Sequence, residues 1–551
     1  MDTREQDVPQ RWFALFLVLA IAVNGSGVGL PILGPDAAVY ASIAKTMVQQ
    51  HNYRELFVHG QDWLDKPHFP FWLTALSFRL FGVQTWAYKL PAILCLLMGA
   101  WYTYRFAQQF YPPQVARWSV LILLTAEHII LSNTDVRAEP YLTGLIIAAV
   151  YAFARAHRTK AFWPLLLGSG FAACATMTKG PMALIPIGGA VAGELVLTKQ
   201  WHDLWHLRWV GAAGMILVGI TPELYCLYQQ FDAHPDKLIF GQTGVSGLRF
   251  FFWDSQFGRF LNTGPLQGHG TPTFFLHTTL WAFFPWSVVF YVAIWTRLTT
   301  ARRRGHEEGE WYTLSGAVLT FLVFSASRFQ LPHYLNILFP FWAILTAHYL
   351  SQVARAVEVR WLTVLRACTI SLVVLLILLV HVVCRPDPIP WWTWLLVSSL
   401  LALLLYCGWR FRAAAGPRLV AQLALAAMAL NCYLNLGLAP TLFKYQAGSE
   451  AAWYSNRYYP GVPVVQVAPY VSVPLTFYLD QPLRIVPHAT ETTTVRQRPY
   501  LLYAPVEELQ GVPGQLVHTF ASFPISRLTL PFLYYKTRPQ TTTTYGLLLI
   551  P

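Results

Sequence analysis

Residues 115–160 read VARWSVLILLTAEHIILSNTDVRAEPYLTGLIIAAVYAFARAHRTK, and this stretch decides the fold. Its two apolar segments, 115–132 and 138–156, are each about the length a helix needs to cross some 30 Å of hydrocarbon. The loop between them carries Asp135, Arg137 and Glu139, whereas the loop after the second carries Arg155, Arg158 and Lys160. Basic loops mark the cytoplasmic side of a membrane hairpin, so the mixed-charge loop faces outward.

Working outward, the same pattern recurs. Apolar stretches lie near 12–33, 86–107, 115–132, 138–156, 161–178, 181–198, 208–229, 273–296, 311–326, 333–351, 361–384, 390–409 and 418–439, thirteen in all. Arg4 and Arg11 precede the first. Basic residues also follow the even-numbered stretches: Arg105 and Arg117, Lys199, Arg297 with Arg302 to Arg304, Arg355 and Arg360, Arg410 and Arg412. The N-terminus is therefore expected inside and the C-terminus outside. The composition agrees. Of 551 residues 55% are hydrophobic and 12% charged, about half the charge of a soluble protein, with 22 Trp and 27 Tyr to populate headgroup belts. The formal charge of +13 is dispersed between apolar spans rather than gathered on a basic face, which excludes nucleic acid as the partner. The seven cysteines lie in or beside apolar spans, so no disulfide framework is indicated, and the first apolar run reads as a retained span.

From about residue 441 the character changes. VPVVQV, LRIVPH, PYLLYAP, QLVHTFA and GLLLIP read as short strands between turns, with YVSVPLTFYL as a helix between two of them. The expected architecture is a mainly α polytopic bundle, residues 1–440, followed by a small non-cytoplasmic α/β domain, 441–551. Within the first outer loop (34–85), AAVYASIAKTMVQQ puts Val39, Ile43 and Met47 on one helical face. FPFWLTALSFRLFG is apolar but too short to span, so the two make an interfacial shelf.

Ionisable residues recur on the outer side, where topology needs none: Asp36; Asp65, Lys66 and His68; Asp135, Arg137 and Glu139; Lys179; Arg328 and His333. Charge at a span edge is costly and usually functional. Each also has a plainer reading: Asp36 as a helix N-cap, Lys179 as a dipole partner snorkelling to headgroups, His333 as an interfacial histidine. Taken together, cations beside a lipid-facing shelf suit a lipid phosphate, and a carboxylate among them suits proton removal from a hydroxyl. The Gly- and aromatic-rich segment 231–272 reads either as a lid over such a site or as a disordered connector.

PDAAVYASIAKTM, LDKPHFPFWLTALSFRLFG, MTKGPMAL, FFFWDSQFGRF and SRFQLPHYL, at these span boundaries, resemble the C-type glycosyltransferases that use polyprenyl-phosphate sugars. The resemblance is to the protein O-mannosyltransferase-like and lipid A aminoarabinose transferase-like members, over residues 12 to about 350. It implies a sugar transferase acting from undecaprenyl phosphate on a lipid, glycan or protein acceptor at the periplasmic face, with inversion. Asp36 then matches the catalytic carboxylate, and Glu139 with Asp135 the second acid. Lys66, Arg259 and Tyr334 match the phosphate holders, and Lys179 faces the same cavity. Arg137, Arg328 and His333 complete the expected substrate-binding set. The chain departs from the family at Ala37, Val39, Ser255-Gln256 and Gln330, so the resemblance carries a reaction class rather than a sugar. No cofactor is assigned. Should a divalent cation take part, Asp65 and His269 are the candidates, too scattered to define a site. A lipid or lipid-linked-sugar flippase, and a non-catalytic sugar-binding subunit, are the competing classes.

Overall fold

In a computed structural model the chain is mainly helical, and the described residues are 9–304, 309–353, 356–481, 483–488 and 498–551. Arg4 and Arg355 of the basic pattern lie outside them. Each apolar stretch of the sequence falls on helix over most of its length, the first only as far as Gly25. Four helices among the described residues are long and apolar enough to cross a membrane: Thr85–Phe110, Glu358–Cys384, Trp391–Arg410 and Ala415–Phe443. Two helix pairs reach that length and apolarity only together and are bent between their members, Pro113–Leu124 with Glu127–Thr134 by 50°, and Trp201–Gly219 with Thr221–Asp232 by 41°. The chain is thus a multi-pass membrane protein.

Close helix contact places the charged loops. Helices Thr85–Phe110 and Glu139–Thr159 cross at Gly99 and Gly144, where a Cβ on Gly144 would stand 2.0 Å from the Cys95 carbonyl oxygen. Small residues at such a crossing let backbones meet in lipid, where helices gain little from hydrophobic burial. Polar side chains buried between spans find partners: Asn133 donates to Asn24 (2.7 Å), and the Lys89 ammonium donates to the carbonyls of Gly27 and Leu30, both at 2.8 Å.

Residues 34–85 form two helices, Asp36–Gln50 and Phe69–Phe81, joined through a short hairpin of β1 (Phe57–Val58) and β2 (Gln61–Asp62). Beyond the last span, helix Ala447–Tyr458 leads into a mixed sheet of β3 (Val464–Val467), β4 (Leu483–Val486), β5 (Tyr500–Pro505), β6 (Gln515–Ser522) and β7 (Thr543–Ile550). The strand order is β4-β3-β5-β7-β6, with β3 parallel to both neighbours and β7 antiparallel to both of its own. Each strand motif read from the sequence falls on one of these strands, and YVSVPLTFYL holds the helix Val473–Tyr478.

Candidate functional site

The charges expected on the outer face gather into two adjoining clusters. In the first, Asp36 is the opening residue of the shelf helix, but its side chain makes no capping hydrogen bond. It accepts instead from Arg137 Nη1 at 2.6 Å, and half of its side-chain surface is exposed. The same guanidinium reaches Asp135, with Nε and Nη2 at 3.0 and 2.9 Å from Oδ2. Desolvation lifts the Asp135 carboxyl above its ordinary range against the pull of Arg137. One arginine thus ties the two carboxylates together, and Asp36 is the one open to a substrate.

The second cluster begins at Glu139, which opens helix Glu139–Thr159 with Pro140 behind it, as expected for a carboxylate at a helix N-terminus. Glu139 is buried, pairs with Lys179, and has His333 Nε2 3.6 Å away. Lys179 ends the helix Phe162–Lys179, and its ammonium stands 3.8 Å from the centre of the Tyr334 ring, so it turns inward instead of toward headgroups. Beside them Asp65 joins Lys66 (2.6 Å) and Arg259, one carboxylate oxygen to each. Burial opposes ionisation of Asp65, but Lys66 and Arg259 outweigh it and hold its carboxyl down at about 2. Lys66 is pulled below the usual ammonium range, mainly by burial, with Asp65 as counterweight.

Two cavities meet at this cluster. Glu139, Lys179, Gln256, Arg259 and Tyr334 give the larger one a polar end, continued by the apolar rings of Phe260, Phe324 and Phe329. The smaller is lined by Asp65, Lys66, Lys179, Glu223, Gln256 and Arg259. A polar pocket opening along an apolar wall suits an amphiphile with an anionic head. The segment bearing Lys66 is anchored from below: His68, fully buried, sets Nδ1 3.0 Å from Glu223 Oε1 and Nε2 3.0 Å from the Arg54 carbonyl.

Segment 231–272 is packed over the site rather than a loose connector. Its π-helix Phe250–Gly258 carries Ser255 and Gln256, with Arg259 directly after it. Further on, Gly270 N–H donates to the Arg328 carbonyl (2.7 Å). Arg328 and His269 are themselves exposed, so the structure brings neither into the cluster. Asp65 gives both oxygens to cations, and among the described residues no group of three His, Cys, Asp or Glu side chains converges on a metal position.

Sequence reasoning passed over Tyr40 and singled out Gln256 only as a departure from the family pattern. Tyr40 lies one turn beyond Asp36, is 9% exposed, and is close enough to Asp36, Asp65 and Glu139 for their charges to oppose its ionisation after burial has done so first. Its spacing of four from Asp36 was the available signal. Gln256 is buried against Gly180: its Oε1 accepts from Met182 N–H and its Nε2 donates to the Lys179 carbonyl, both at 3.4 Å.

Comparison with known proteins agrees with the motifs. Residues 65–225 match the family described as dolichyl-phosphate-mannose-protein mannosyltransferase. The chain is 27% identical over 354 residues to the undecaprenyl phosphate-alpha-4-amino-4-deoxy-L-arabinose arabinosyl transferase of Edwardsiella ictaluri, covering 62% of this chain and 59% of that protein. It is 26% identical over 363 residues to the enzyme of that name from an Enterobacter species, covering 62% and 61%. It therefore spans about three-fifths of the length of these curated relatives. The crystal structure of ArnT from Cupriavidus metallidurans bound to undecaprenyl phosphate superposes with a TM-score of 0.72 at 18% identity, over 98% of both chains. The chain is thus similar in sequence to the mannosyltransferase-like and aminoarabinose-transferase-like proteins and has the fold of ArnT, which bears out the resemblance carried by its motifs.

Proposed function

We propose that the chain is a membrane glycosyltransferase that moves a sugar from a polyprenyl phosphate, undecaprenyl phosphate in a bacterium, to an acceptor at the outer face of the inner membrane. The observation that carries this reading is the pair of adjoining cavities that share Lys179 and Arg259, one lined by Lys66 and the other by Tyr334 with an aromatic wall. Relatives named as undecaprenyl-phosphate sugar transferases support it. The full reading has thirteen spans, the N-terminus inside, and residues 441–551 as a periplasmic domain over the site.

The reaction is a single displacement. An acceptor oxygen attacks the anomeric carbon, the bond from that carbon to the phosphate oxygen breaks, and its electron pair leaves with polyprenyl phosphate. The configuration inverts. Lys66 and Arg259 neutralise the departing phosphate, so no general acid is needed. For a hydroxyl acceptor, Asp36 takes the proton while Arg137 holds the carboxylate in place. Glu139, paired with Lys179 and close to His333, shapes the sugar end of the cavity. An acceptor that is itself a phosphate arrives ionised and needs no base.

Transfer of a radiolabelled sugar from a polyprenyl-phosphate donor into membranes containing the purified protein tests the reading. Incorporation that depends on the protein supports it. Movement of the intact donor across the bilayer without bond cleavage would instead support a flippase. Mass analysis of envelope lipids and glycans after deletion of the protein then names the acceptor.

A further inference from the structure

The segment that delivers Asp36 to the site is held by the part of the chain beyond the last span. Gln446 sits at the start of that part, 9% exposed, and its side-chain amide reads the backbone just before Asp36. Its Nε2 donates to the Ile32 carbonyl (2.9 Å), and its Oε1 accepts from Gly34 N–H (3.1 Å). The amide is itself fixed by Ser449, whose hydroxyl oxygen accepts from Nε2 at 2.6 Å. From the other side, the Tyr478 hydroxyl accepts from Ile32 N–H (2.8 Å) and lies 3.0 Å from Thr85 Oγ1. Room for this approach depends on Gly34, where a Cβ would stand 3.0 Å from Pro474.

The far end of the Asp36 helix is tied to the same element. Lys45 donates to the carbonyls of Thr476 (3.3 Å), Phe477 (2.8 Å) and Leu479, at the C-terminal end of helix Val473–Tyr478, where carbonyls lack partners within the helix. His59 Nε2 is 2.8 Å from Thr476 Oγ1. Both ends of the helix Asp36–Gln50 are therefore referenced to one short helix of the C-terminal unit. A backbone held at Ile32 and Gly34 leaves little freedom to Asp36 two residues later. Small misplacements of a reacting group cost far more in rate than in stability.

We propose that the C-terminal unit acts in the reaction as the positioning frame of the carboxylate, with Gln446 and Tyr478 as positioning residues for Asp36. This rests on the glycosyltransferase reading with Asp36 as its base. The prediction separates turnover from donor binding, because neither residue touches Lys66 or Arg259.

The experiment compares Gln446→Ala and Tyr478→Phe with the parent protein in sugar transfer to a hydroxyl acceptor, and repeats both in an Asp36→Asn background. Expected is a fall in kcat of about tenfold to hundredfold with the donor KM unchanged. In the Asp36→Asn background the same substitutions should cause no further fall, since they act through a carboxylate that is gone. Tyr478→Phe removes a single oxygen, and thermal unfolding of the detergent-solubilised protein verifies that it remains folded. A full additional loss in the Asp36→Asn background overturns the inference, as does unchanged kcat in both single variants. Near-normal turnover by Asp36→Asn itself overturns the underlying reading instead.

Discussion

At the residue scale, the chemistry turns on which charges are neutralised before a substrate arrives. Asp36 keeps half of its side-chain surface exposed and has one cationic partner, Arg137. Asp36→Asn should lower transfer to a hydroxyl acceptor by roughly 10²–10⁴, while transfer to a phosphate acceptor should change little; equal losses with both acceptors would remove it as a base. Lys66→Ala should raise the donor KM, measured by varying the lipid donor at fixed acceptor, and an unchanged KM would exclude the phosphate role. Asp65 offers a test in pH. Its carboxyl is held at about 2 against the usual 3.8, a difference of about 2 kcal/mol in favour of the folded state. Because the folded carboxyl binds its proton less tightly than the unfolded one, this contribution is complete above about pH 4 and disappears as pH falls through 2. The unfolding midpoint of the parent should therefore exceed that of Asp65→Asn at pH 6, with the gap closing below pH 4. A gap independent of pH would mean that Asp65 acts through packing alone.

At the scale of elements, the site is assembled from helix ends. Glu139 and Asp36 open helices, Lys179 closes one, and Arg259 follows the π-helix Phe250–Gly258. The turn after Lys179 depends on Gly180, whose φ of +90° lies in the left-handed region. A Cβ there would also stand 2.2 Å from Gln256 Nε2. Gly180→Ala should destabilise by about 1–3 kcal/mol and lower turnover by pushing the π-helix off the cavity; a midpoint equal to the parent's would show that the turn relaxes freely. The helices Asp36–Gln50 and Phe69–Phe81 and the C-terminal strands were legible because their signals are local: a helical apolar period from Val39 to Met47, short β-rich runs between turns. What segment 231–272 does was not legible. Its glycines permit mobility, yet Gly268 and Gly270 pack so closely on residues 328–330 that a Cβ at either would clash.

At the scale of the whole molecule, function requires that the phosphate cavity, the Asp36 loop and the C-terminal sheet share one side of the bilayer. Gln510 is exposed on that sheet unit, so in intact cells Gln510→Cys should gain labelling by a membrane-impermeant maleimide over the parent chain. Labelling only after the inner membrane is opened would invert the orientation. The bundle was legible because lipid demands about twenty apolar residues per crossing and cytoplasmic loops collect Lys and Arg. The bends within two of the apolar runs were not read: the one of 41° falls beside Gly219 and Pro222, whereas the one of 50° at residues 124–127 has no Gly or Pro to announce it.

The sequence alone determined the class of molecule and pointed to the charged residues that the structure gathers, because solvent, charge and span length act locally along the chain. Tertiary structure alone decided the partnerships. Asp36 meets Arg137 from another loop, and Glu139 meets Lys179 from another helix end. Arg259 reaches across to Asp65, and Arg328 and His269 stay outside. Those pairings depend on helix crossings such as Gly99 on Gly144 and on the hold of Gln446 and Tyr478 on the Asp36 segment. Contacts between residues 40 to 446 positions apart leave no periodicity in a single sequence for a reader to find.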